Sequence, residues 1–134
     1  MDWKECIRQT IAKSVKEDKS LVRSAREIAK LKVESADALP SHLYIGVISL
    51  LYDALREYLE CVALEHGYKV YNHECYAAFL KEVINCSREA DQFDEIRKVR
   101  NGINYYGKKV SREEADAIIR AIRQLIKKFE KEVK

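Results

Sequence analysis

The sequence predicts an all-α protein, an up-and-down bundle of five to six helices, and three observations carry that prediction. Only one proline and four glycines interrupt the 134 residues. The 35% of residues that are charged are dominated by helix-compatible Lys, Arg and Glu. Apolar residues also return at intervals of three and four along most of the chain. The same composition disfavours a β-architecture. With 47% hydrophobic residues, a chain of this length supports one core that buries roughly two-thirds of the unfolded surface, so residues 1–134 are expected to form a single helical domain.

Trp3, Cys6, Ile7, Thr10, Ile11, Ser14 and Val15 recur at helical spacing and predict a first amphipathic helix. The polar stretch Lys16 to Ser20 separates it from a second, carried by Leu21, Val22, Ala25, Ile28, Ala29 and Val33. Leu39-Pro40-Ser41 closes that section, because proline disfavours a helical residue before it and suits the first turn after it. From Ser41 to His66 the apolar positions cover more than a narrow stripe, which predicts the central helix. Gly67 fits the position just past its end, and Asn72 fits the cap of a helix that turns Cys75, Ala78, Phe79, Val83 and Ile84 inward.

Phe93, Ile96, Val99, Ile103 and Tyr106 supply the buried side of a helix over residues 93 to 106, and Gly107 suits a left-handed stop. Ser111-Arg112-Glu113-Glu114 is a capping-box sequence that opens a last helix through Ala115, Ile118, Ile119, Ile122, Ile126, Phe129 and Val133. No repeat, low-complexity tract or flexible linker interrupts this order.

A net charge of +3 does not by itself announce a nucleic-acid partner, but the charge is sorted along the chain. Residues 34 to 66 hold six acidic residues and one basic residue, Arg56. Residues 97 to 112 hold Arg97, Lys98, Arg100, Lys108, Lys109 and Arg112 and no acid. That segment therefore carries a local positive field that attracts anions.

Cys6, Cys61, Cys75 and Cys86 form no CxxC pair, and the chain opens on Met1-Asp2-Trp3-Lys4 with no signal-peptide pattern, so four reduced thiols and a cytoplasmic location are expected. A zinc set of Cys61, His66, His73 and Cys75 matches no compact module, and no metal or cofactor is expected. The longest apolar run, Leu43 to Leu55, is interrupted by Ser49 and Asp53, so no membrane span is expected.

On a helix, Arg97, Arg100, Asn101 and Asn104 stand three and four residues apart and form one polar ridge. Planar guanidinium and amide groups in that array suit a phosphate and base edges. Arg100 sits at the margin of the apolar stripe beside Ile96 and Ile103, which predicts half-burial, and a half-buried guanidinium needs a partner. Two partners are open: an anionic ligand, or Asp53 or Glu57 of the acidic central helix. Lys108 and Lys109 are either a solvated loop or a basic rim that draws an anion toward the ridge.

Leu50 to Glu60, the stretch Leu64 to His73, and Arg97-Lys98-Val99-Arg100-Asn101-Gly102-Ile103-Asn104-Tyr105-Tyr106-Gly107 together resemble HEPN domains, over most of residues 41 to 130. The resemblance implies a homodimer in which the motif helices of two protomers face each other across an RNA-binding cleft. Active members are metal-independent ribonucleases, many of them toxins paired with a small nucleotidyltransferase antitoxin. Their motif is an arginine and a histidine separated by four to six positions, the first of which is often polar. Arg100 matches the arginine and Asn101 that polar position.

The histidine is absent, and Tyr105 stands at the shortest spacing. A phenol that titrates near 10 is deprotonated in about one molecule per thousand at pH 7 and makes a poor base. Losing general acid–base help costs roughly 10²- to 10⁴-fold in rate. The resemblance thus puts Arg100, Asn101 and Tyr105 at the catalytic position, and the polar ridge with its basic surroundings makes Arg97, Arg100, Asn104, Lys108 and Lys109 the candidates for phosphate or RNA binding. The activity it implies is at most that of a weak, degenerate ribonuclease. The alternative is a non-catalytic dimeric subunit that docks a partner such as a minimal nucleotidyltransferase. His66 and His73 are expected at the surface, Tyr106 in the core or at a dimer seam, and Tyr105 at that seam or stacked on a base.

Overall fold

The computed structural model describes residues 1–134 and runs α1 (Trp3–Arg8), β1 (Ala12–Ser14), α2 (Lys19–Ala38), α3 (Tyr44–Glu65), β2 (Tyr68–Val70), α4 (His73–Glu82), α5 (Ser87–Tyr106) and α6 (Arg112–Glu132). The six helices form the expected all-α bundle. The most apolar segment becomes its centre: α3 packs between α2 and α6 and buries Leu51, Leu55 and Leu59 completely. Removing any of these leucine side chains would cost about 2 to 5 kcal/mol. α4 and α5 pack together and close the remaining side through Phe79, Phe93 and Ile96.

The helix ends follow their capping residues. Asn72 accepts from the Cys75 amide at 2.8 Å, and Ser111 from the Glu114 amide at 3.1 Å. Gly107 ends α5 in the left-handed conformation, with φ at 59°. Pro40 begins a turn rather than a helix: its carbonyl accepts from the Leu43 amide, and α3 starts only at Tyr44.

The expected first helix stops at Arg8. Thr10 takes a positive φ of 61°, and the chain then pairs antiparallel with β2, Ala12 opposite Val70 and Lys13 opposite Lys69. Bonds from Val15 to Gly67 and from Tyr71 to Ile11 extend this ribbon at either end. The spacing of Trp3 to Val15 satisfies a helix, but long-range pairing provides the same backbone partners while burying Ala12 and Val70 against the core.

α2 is rotated from the expected face. Val22, Ala25, Ala29 and Ala36 are buried, whereas Leu21 and Ile28 face outward. Three alanines let α2 approach the bulky side chains of α3 closely, which an inward Leu or Ile would prevent.

The expectation of four reduced thiols is also corrected. α1 packs on α4, which brings the α-carbons of Cys6 and Cys75 within 6.0 Å, and the two residues form a disulfide. Cys61 is buried, its thiol directed at the Val22 carbonyl, and Cys86 is a half-buried free thiol. Cys61, His66, His73 and Cys75 do not converge, and no group of three His, Cys, Asp or Glu side chains is arranged to hold a metal. No helix is long and apolar enough to cross a membrane.

Candidate phosphate site on the motif helix

α5 includes all of residues 93 to 106, so Arg97, Arg100, Asn101 and Asn104 do share one ridge. Their surroundings differ. Arg97 is bonded within its own helix: its Nε and Nη2 donate to Asp94 Oδ1 at 3.1 and 2.8 Å. Lys98 reaches the other oxygen of Asp94 at 3.3 Å. Asn104 is exposed at the outer end of the ridge.

Arg100 is half-buried, as its place at the edge of the apolar stripe predicts, but it pairs with no carboxylate. Glu57 is taken by Arg56 at 3.0 Å and Lys32 at 3.5 Å, and Asp53 forms no ion pair. The open choice between a structural ion pair and another partner thus falls against Asp53 and Glu57. Arg100 lies instead between two aromatic rings, with its guanidinium carbon 5.1 Å from the centre of Tyr52 and 5.6 Å from that of Tyr105. Nη1 also reaches Asn101 Oδ1 and Tyr105 Oη, each at 3.4 Å. The ring faces attract the cation without neutralising it. The site therefore keeps its positive charge.

Tyr52 connects this arginine to a histidine. Its hydroxyl lies 2.7 Å from His73 Nδ1, while its ring stacks on Phe93. His73 begins α4 directly after the Asn72 cap. Burial, then the nearby charges of Arg56 and Arg100, push its imidazole down to about 4, against a smaller opposing effect of Asp53. The positive end of α4 acts in the same direction. Burial likewise raises the Tyr52 phenol well above its ordinary range, despite the lowering effect of the same arginines. Both groups are neutral at pH 7, so one proton is shared along the Tyr52 Oη–His73 Nδ1 contact, and the tautomer of the imidazole sets which of the two donates.

His73 and Tyr52 escaped the sequence reading. His73 stands 27 positions before Arg100 in the chain, and only the packing of α4 on α5 and α3 brings it to the motif helix. His66 is exposed, but its Nδ1 is bonded to the Val62 carbonyl at 2.8 Å, so of the two histidines only His73 belongs to this site. The placement of His73 after a capping asparagine was visible in the sequence, though its direction was not.

The other expected site residues divide. Tyr105 touches Arg100 while remaining 68% exposed, and Tyr106 is 82% exposed. Tyr106 is thus outside the core. Lys108 and Lys109 do not join Arg100. They border a separate cleft with Val99, Gly102 and Tyr106, which occupy a different flank of α5. Arg112 is held by Asp116 at 3.2 Å and lies over the Tyr44 ring.

Comparisons with protein-family models, curated proteins and solved structures found no match.

Proposed function

We propose that this chain is a HEPN-like protein that binds RNA by gripping a backbone phosphate at Arg100. The observation that carries the reading is the half-buried guanidinium of Arg100, held between Tyr52 and Tyr105 with no carboxylate to balance it. A phosphate supplies the missing charge, and two of its oxygens can accept from the free N–H groups of the planar guanidinium. Asn101 beside it and Asn104 farther along the ridge offer amide donors for the sugar or a base edge. The exposed Tyr105 and Tyr106 support a homodimer joined along the motif helix, with the two Arg100 sites on one cleft.

Binding is better supported than cleavage. Tyr105 contributes no effective base, and His73 is a neutral imidazole whose Nδ1 is already occupied by Tyr52. A bound phosphate offsets the Arg100 charge and so raises the proton affinity of His73, which leaves this residue as the one group able to give the slow activity of a degenerate ribonuclease.

The test incubates metal-free protein and its Arg100→Ala variant with labelled RNA and follows retention and cleavage together. Wild type should retain RNA at low salt, and the variant should bind about tenfold or more weakly, the scale of a charge-assisted hydrogen bond. Failure of the wild type to retain or cut RNA at low salt would sink the proposal.

A further inference from the structure

The β1–β2 ribbon carries a second feature suited to nucleic acid. Alternate residues of a strand face opposite sides, and Ala12 and Val70 point into the core. Lys13 and Lys69, directly opposite each other, and Tyr71 therefore lie on the outer face. The Tyr71 ring is 56% exposed, with Lys13 Nζ 5.6 Å and Lys69 Nζ 6.0 Å from its centre.

This arrangement is costly to the fold alone. Like charges opposite each other on a ribbon destabilise it. Glu60 of α3 offsets Lys69, but Lys13 has no carboxylate partner. The structural duty of Tyr71, donation of its amide to Ile11 at 2.8 Å, is met by the backbone and does not require an aromatic side chain.

Tyr71 is also two residues from His73, the histidine joined through Tyr52 to the Arg100 site. An exposed ring flanked by cations stacks with any base while the cations hold the neighbouring backbone, a combination that serves single strands. Duplex RNA keeps its base faces stacked inside and is recognised through backbone and groove instead.

We infer that Tyr71, Lys13 and Lys69 form a base-stacking platform for single-stranded RNA, separate from the phosphate held at Arg100. The inference rests on the RNA-binding reading above and narrows its substrate to unpaired strands. A base lies on the exposed part of the Tyr71 ring, and the two ammonium groups contact the phosphates on either side of it.

The test measures fluorescence anisotropy of a labelled ten-nucleotide single-stranded RNA, and of a blunt duplex of equal length, with the full chain. Tyr71→Ala should weaken single-strand binding about tenfold, Tyr71→Phe should stay near wild type, and any duplex binding should be unaffected by either. Replacing Lys13 and Lys69 together by alanine should flatten the salt dependence, which Tyr71→Ala should leave unchanged. Circular dichroism checks that each variant is folded. If Tyr71→Ala binds the single strand like wild type, or weakens both ligands equally, the platform is refuted. Loss of binding in Arg100→Ala alone would then leave the phosphate site standing. A wild type that binds neither RNA removes both proposals.

Discussion

Tyr52 serves two neighbours at once: its ring lies under Arg100 and its hydroxyl bonds to His73. The two roles can be separated. Tyr52→Phe retains the ring and removes the hydroxyl, so RNA affinity should change by less than about threefold, because the cation–ring attraction is retained. Urea denaturation should show a loss of about 1 kcal/mol, since His73 Nδ1 loses its partner. Tyr52→Leu should weaken RNA binding as well as stability.

Stability should fall on acidification through the window set by His73. The folded protein holds this imidazole near 4, below its ordinary value of 6.5. Between those two values the unfolded chain binds more protons than the folded one. The contribution is thus fully present above about pH 6.5 and is lost as pH falls toward 4. After allowance for solvent screening at a half-buried site, it is on the order of 2 kcal/mol. Denaturation midpoints measured from pH 7.5 to 4 should drop in the wild type and drop less in His73→Gln; parallel curves for the two proteins would refute this assignment.

Neutralising Asp94 should strengthen RNA binding. Burial pushes this carboxyl up, but hydrogen bonds from Arg97 and Lys98 outweigh that and hold it below the usual carboxylate range. In Asp94→Asn both cations lose their counter-charge, and Arg97 becomes available to the ridge it shares with Arg100. Affinity for RNA at low salt should rise roughly three- to tenfold, with a steeper salt dependence. An unchanged salt slope would show that Arg97 takes no part in contacting RNA.

Reduction of the Cys6–Cys75 bond should lower stability by roughly 4 to 4.5 kcal/mol, the scale for a closed loop of this length. Urea curves with and without reductant measure it, and Cys6→Ser should reproduce the reduced state without reductant.

Local signals in the chain survived into the fold where local physics decides the outcome. The caps at Asn72 and Ser111, the stop at Gly107 and the central position of α3 all rest on neighbouring residues or on a continuous apolar surface. What the sequence concealed depends on contacts distant along the chain. The Trp3 to Val15 spacing could not show that β2 would compete for its backbone, and the apolar positions of α2 could not show that alanines would be preferred against α3. At the site, the half-burial of Arg100 was legible from Ile96 and Ile103. Its aromatic neighbour Tyr52 and the histidine beyond it were not, because three separate helices must first pack to bring them together.

The disulfide also changes how the molecule responds to a cut. Cys6 and Cys75 close a covalent ring that contains β1, α2, α3 and β2, including the turn from Pro40 to Leu43 that joins the two longest-packed helices. A protease that opens that turn would turn one chain into two segments still fastened to each other, and no fragment would leave until a reductant arrived. The turn can thus be split while α2 and α3 remain tethered, which makes it the natural position for new chain ends in a rearranged version of this protein.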